Sequence, residues 1–114
     1  GEKTFQSIIG YVGKPLPGRQ TVVLTRNSDF EAPAGVRVFS SLEDAWEKLQ
    51  NEDVFICGGA SIYAQTINKV DTLYITWINQ EPTGDVFFPK IDPTIWKESW
   101  REDHDGFSFV KYIK

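Results

Sequence analysis

Methionine is absent from the 114 residues, and cysteine and histidine occur once each. A complete translation product normally begins with methionine. The chain opens instead on Gly1-Glu2-Lys3-Thr4 with no strand before it, which reads as the start of a fragment. Cys57 alone excludes an internal disulfide and suits a reducing cytoplasm. One Cys and one His do not supply a zinc cluster. Serine- or cysteine-based hydrolysis would have to use His104, which lies in Asp103-His104-Asp105-Gly106 and reads as a solvated loop residue. No apolar run is long enough to span a bilayer, and the start lacks the pattern of a signal peptide. The net charge of -4 gives no basic field, so nucleic acid and membrane surfaces are not expected partners.

What is present fits one globular domain, long enough to bury roughly two-thirds of its unfolded surface. Thr4 to Ile9 reads as a short helix with Phe5, Ile8 and Ile9 on its apolar face, ending near Gly10. Gly13 to Arg19 is a loop, because Pro15 and Pro17 fix an extended path. Thr21 to Thr25 is a β-branched run and a buried strand; Asn27 to Gly35 is an exposed connection; Val36 to Phe39 is a second strand. Ser40 and Glu43 form a capping box for a helix whose core stripe is Leu42, Ala45, Trp46 and Leu49. A strand over Val54–Cys57, a helix carrying Ile62, Tyr63, Thr66 and Ile67, and a strand over Thr72–Ile78 follow. Alternating strands and helices argue for a parallel sheet with crossovers. The rhythm then breaks into a terminal antiparallel hairpin, Glu98–Glu102 and Phe107–Ile113.

Chemistry on such a sheet collects at the carboxyl ends of its strands. In Val54-Phe55-Ile56-Cys57-Gly58-Gly59-Ala60-Ser61-Ile62-Tyr63 an apolar strand runs into a glycine pair that opens a helix. Glycines there let backbone N–H groups approach an anion, and the helix dipole favours negative charge at the same place. The same pair also serves as a plain tight turn. Gly1-Glu2-Lys3-Thr4 offers a second helix start with a cation and a hydroxyl, and Thr25-Arg26-Asn27 places polar groups just past a strand end. Each alone is as well read as solvated surface. Three phosphate-suited corners together point to an extended ligand such as a dinucleotide. Arg19, behind the rigid Pro-Leu-Pro-Gly turn, is placed to fork onto a carboxylate, or is an ordinary surface arginine.

These segments resemble dihydrofolate reductase. The resemblance is carried in order by Gly1–Ile8, Lys14–Arg19, Val22–Asn27, Gly58–Tyr63, Leu73–Thr76 and Gly84–Pro89, and spans essentially the whole chain. It implies a mostly parallel α/β sheet flanked by helices, with an antiparallel C-terminal hairpin and the family's first, central strand absent. It implies an NADPH site lined by Gly1, Lys3, Thr4, Leu24, Thr25, Arg26, Asn27, Gly58, Gly59, Ala60, Ser61, Ile62 and Gln65, with a cis peptide between the two glycines. Folate and antifolate-type ligands would meet Ser7, Ile8, Leu16, Arg19, Cys57, Tyr63 and Thr76, with Arg19 on the glutamate carboxylate. The family reaction is hydride transfer from NADPH to dihydrofolate in the cytoplasm.

Four departures accompany the resemblance. Glu2 stands where the family usually has an arginine for the cofactor's 2′-phosphate. Cys57 replaces a larger apolar residue, and the hairpin is shorter than usual. The family's opening strand, mobile loop and acid-bearing helix have no counterpart, so no catalytic residue is identified; Asp85 reads as structural. The isolated chain is therefore expected to be inactive, with unpaired strand edges that accept a complementing N-terminal segment or a swapped second copy. Two rivals stand beside this reading. One is a non-catalytic nucleotide-binding or interaction module. The other is a riboflavin-pathway pyrimidine reductase, which the Pro-Leu-Pro-Gly-Arg loop disfavours.

Overall fold

The computed structural model describes residues 1–80, 84 and 86–114. The expected structural role of Asp85 lies outside the described residues. Eight elements follow in order: α1 (Glu2–Val12), β1 (Val22–Leu24), β2 (Arg37–Phe39), α2 (Leu42–Lys48), α3 (Ala60–Thr66), β3 (Thr72–Ile78), β4 (Lys97–His104) and β5 (Phe107–Ile113). The chain forms two compact units, Gly1–Ile62 and Tyr63–Lys114. Helix α3 begins in the first and ends in the second.

In the first unit, β1 and β2 pair in parallel with Val23 opposite Val38. Val23 is almost fully buried, as the β-branched run implies. The twelve-residue connection between them contains no helix, which is unusual for a parallel crossover. It has an apolar anchor instead. Phe30, in a stretch expected to be merely exposed, is half-buried, and its ring meets Phe5 edge-on with centroids 5.9 Å apart. Helix α1 is longer than its sequence pattern implies and runs through Gly10. The stop is Gly13, left-handed at φ 79°, whose N–H bonds the Ile9 carbonyl at 2.7 Å. An internal glycine costs a helix only about 1 kcal/mol, which the burial of Phe5 offsets.

The cap of α2 also differs from expectation by one residue. Ser41, not Ser40, is the N-cap, and its hydroxyl accepts the Asp44 N–H at 3.1 Å. Starting there brings Leu42 and Ala45 to the buried face, while Trp46 and Leu49 are half-buried. Ser41→Ala is expected to cost about 1 kcal/mol in denaturant unfolding, and Ser40→Ala almost nothing. Equal effects at the two serines would contradict this cap assignment.

Val54–Cys57 is not a strand here. It makes no ladder, and Val54 and Phe55 are largely exposed. A strand exists only where a ladder of partners answers its N–H and C=O groups, and among the described residues no ladder forms here. The parallel part of the fold is accordingly the β1–β2 pair, while the longer ladders are antiparallel. In the second unit β3, β5 and β4 form one antiparallel sheet in that order. Both ladders run the length of β5, pairing Ile75 with Val110 and Arg101 with Val110. Val110 is thus central and buried, joined in the core by Leu73 and Trp96. The hairpin turn is Asp105-Gly106, with Gly106 at φ 83°. His104 closes β4 rather than lying in the turn; it is exposed, stacked on Phe107 and 2.9 Å from Glu102 Oε2. Beside it the Ser108 hydroxyl donates to Asp103 Oδ1 at 2.7 Å, and that bond, aided by Arg101, holds the Asp103 carboxyl below its ordinary pKa.

Candidate functional site

The first turn of α1 ties together the two other corners singled out in the sequence. On one side the Gly1 nitrogen donates to the Gly58 carbonyl at 2.9 Å. Thr4 lies so close to the glycine pair that a Cβ on Gly58 would sit 2.9 Å from its Oγ1. The Gly58–Gly59 peptide is cis, and Gly58 has φ 126°, a conformation that L side chains rarely adopt. These are the reasons for glycine here: the chain passes against a helix side chain in a backbone state that excludes Cβ.

On the other side, Glu2 reaches the end of β1. Its Oε2 accepts the Thr25 hydroxyl at 3.0 Å and its Oε1 accepts the Asn27 side-chain amide at 3.2 Å. The Asn27 N–H bonds Thr25 Oγ1 at 3.0 Å, closing a short polar turn. Leu24 ends β1 and is half-buried behind this turn. Lys3 and Arg26 are exposed, and no ion pair engages either among the described residues. The result is a polar rim with two cations, built on one helical turn and open to solvent. It can hold a long, anionic, hydrogen-bonding ligand. The donors are backbone amides near an eleven-residue helix start and the charges of Lys3 and Arg26.

The remaining candidates fall in several places. Ile62 lies beside Gly1, with its Cγ1 4.0 Å from where a Gly1 Cβ would be, while Ala60 and Ser61 form the first turn of α3. Ser7 and Ile8 continue along α1, exposed and half-buried respectively. Leu16 is half-buried in the proline loop. Arg19 is exposed, and its Nε donates to the Pro17 carbonyl at 3.1 Å, which holds the guanidinium; among the described residues no ion pair engages it. Cys57 is exposed and free of disulfide. Tyr63, Gln65 and Thr76 belong to the second unit. There Tyr63 packs on Phe88, with centroids 4.9 Å apart. Thr76 borders a shallow depression of about 180 Å³ with Tyr74, Trp100 and Phe109.

Nothing in the sequence marks partners for Glu2 within the chain. Its role in joining α1 to β1 has no local signal, since the residues it meets are 23 and 25 positions away.

Comparison with known proteins bears on this arrangement. The family model described as dihydrofolate reductase matches residues 1–113. Dihydrofolate reductase HdrB of Haloferax volcanii is 38% identical over 119 residues, covering 98% of this chain and 61% of that protein. Dihydrofolate reductase type 3 of Salmonella typhimurium is 40% identical over 105 residues, covering 91% of this chain and 62% of that protein. The chain therefore spans about six-tenths of the length of these two relatives. Among solved structures, dihydrofolate reductase from Enterococcus faecalis, complexed with NADP(H) and RAB-propyl, superposes with a TM-score of 0.77 at 30% identity. That match covers 94% of this chain and 68% of the other. With the family match running through both units, and with the fold shared at this level, the chain belongs to the dihydrofolate reductase family.

Proposed function

We propose that the protein carrying this chain reduces 7,8-dihydrofolate to tetrahydrofolate with NADPH, and that this chain contributes most of the cofactor shell and part of the folate pocket. The observation that supports it most is the single turn Gly1–Thr4, which joins the Gly58-Gly59 corner to the Thr25–Asn27 strand end. A ligand with phosphates and sugars along its length suits that spread of donors. The relative of known structure that shares the fold was solved with NADP(H). One family model runs through both compact units, which supports reading them as parts of one domain. The free Cys57 suits a reducing compartment such as the cytoplasm.

In this reading NADPH, when bound, supplies the hydride. The chain's own residues bind and orient. Lys3, Thr4, Arg26 and the backbone of Gly58–Ile62 hold the dinucleotide, with Leu24, Thr25 and Asn27 completing its shell. Arg19 holds the carboxylate of the folate tail, with Ser7, Ile8, Leu16 and Cys57 around the remainder. Fixing both partners is the main requirement for hydride transfer, because it turns an encounter of two molecules into a step within one complex. No residue of this chain is assigned the protonation of the pterin.

The test is dihydrofolate-dependent oxidation of NADPH by the intact protein, followed by absorbance, with Arg19→Ala beside it. A charge-assisted fork contributes about 1.5–3 kcal/mol, so KM for dihydrofolate should rise about tenfold to a hundredfold while the NADPH affinity holds. Absence of turnover in the intact protein would overturn the proposal. An unchanged KM in the variant would remove Arg19 from the folate pocket.

A further inference from the structure

From Arg26 to Gly35 the connection between β1 and β2 is exposed at every residue but one, Phe30. Phe30 meets Phe5, the buried side chain of α1, with ring centroids 5.9 Å apart and planes at 78°. The same helix holds the start of the connection, because Glu2 accepts the Thr25 hydroxyl and the Asn27 amide. Glu2 and Phe5 fall at i and i+3 on α1 and so share a face. The stretch between the two attachments is itself a run of tight turns. The Asp29 N–H bonds Asn27 Oδ1 at 3.0 Å, and the Phe30 N–H bonds the Asn27 carbonyl at 3.2 Å. Arg26 lies inside this fastened stretch. It is exposed and no ion pair holds it among the described residues, so its place depends on the backbone beneath it. Phe30 is the apolar pin of that backbone.

We infer that Phe30 is a positioning residue for the cofactor: its ring against Phe5 holds the Thr25–Phe30 turns to α1 and so keeps Arg26 where a dinucleotide phosphate is received. The inference rests on the dinucleotide reading proposed above and adds to it a residue that acts on the ligand only through another. An exposed arginine on a free loop has to be ordered when an anion binds, and that entropy is subtracted from the affinity. One aromatic ring packed on α1 fixes the loop in advance. A ring that served the fold alone would leave affinity untouched in the molecules that remain folded, so affinity measured beside stability separates the two roles.

The experiment is NADPH titration of the intact protein for the parent, Phe30→Ala, Arg26→Gln and the double variant. Ser41→Ala stands beside them as a change that loosens the same unit away from the connection. Phe30→Ala should weaken NADPH binding about tenfold in the parent, and about twofold or less in the Arg26→Gln background, where the charge it positions is already gone. Phe30→Tyr, which keeps the ring, should bind NADPH like the parent, and so should Ser41→Ala. Where Phe30→Ala does not fold, Phe30→Leu runs the same cycle with a smaller loss. Equal losses in the two backgrounds, or a matching loss in Ser41→Ala, overturn the positioning role and make Phe30 a stabilising residue only. Unchanged NADPH affinity in Phe30→Ala overturns it too, and leaves the dinucleotide reading standing. A parent protein that binds no NADPH overturns that reading itself, and the inference with it.

Discussion

Gly58→Ala should abolish dinucleotide binding and lower the stability of the intact protein by about 3 kcal/mol. Two separate causes combine. The backbone at Gly58 has φ 126°, where a Cβ is strained whatever the surrounding space. The new methyl would also sit 2.9 Å from Thr4 Oγ1 and 3.0 Å from Thr4 Cγ2. Thr4 is β-branched and held in the first turn of α1, so it has little freedom to swing aside. Relief would have to come from moving α1 or the glycine corner, and either motion opens the rim proposed to hold the cofactor.

Two further variants separate the causes. Gly59→Ala places its methyl 3.2 Å from Thr4 Oγ1 without a positive φ, and should cost about 1 kcal/mol. Adding Thr4→Ala to Gly58→Ala leaves only the Thr4 Cβ, 3.5 Å from the new methyl, which is ordinary contact. That double variant should recover the steric part of the loss and not the backbone part. Denaturant unfolding together with NADPH titration reads both quantities. A Gly58→Ala protein as stable and as competent as Gly59→Ala would show that the close passage against Thr4 does not constrain the corner.

Phe5→Ala is the second large effect, an expected loss of about 3–5 kcal/mol with weakened cofactor binding. Phe5 is 5% exposed and is the one buried side chain on α1. Its ring also meets Phe30 nearly perpendicularly, at 78°, a contact that adds about 0.5–1.5 kcal/mol beyond burial. Truncation removes the anchor of α1 and of the long β1–β2 connection at once. The polar contacts of Gly1, Glu2 and Thr4 lie on the same helix, so cofactor affinity should fall with stability. Phe30→Ala should cost less, because Phe30 is only half-buried, and the double variant should lose less than the sum of the two single losses. Phe5→Leu, which keeps most of the volume, should retain cofactor binding. Full additivity of Phe5→Ala and Phe30→Ala in denaturant midpoints would mean that the rings do not support one another.

Much of this was legible in the residues. The family follows from the order of short motifs, and several of those among the described residues lie where their local chemistry requires. β-Branched Val22 and Val23 make a strand, Thr72–Ile78 another, and Asp105-Gly106 turns the hairpin. The glycine pair announced an unusual backbone, and the structure has one there, with the cis peptide that the family resemblance implied. Boundaries were less legible. Gly10 looked like the end of α1 and is inside it, since burial of Phe5 outweighs a small propensity cost. Ser40 looked like a cap, and its neighbour Ser41 is one.

By itself the sequence determined the family and the order and type of most elements. These depend on interactions within a few residues, which any stretch of chain carries with it. Tertiary structure alone decided the rest. Val54–Cys57 has the composition of a strand and is not one, because strand formation needs a partner and no local property supplies it. The site depends on contacts across 57, 25 and 23 residues, from Gly1 to Gly58, Glu2 to Asn27 and Glu2 to Thr25. Whether Glu2 lies free in water or fastens a helix to a strand end is settled only when the fold brings those groups within hydrogen-bond reach.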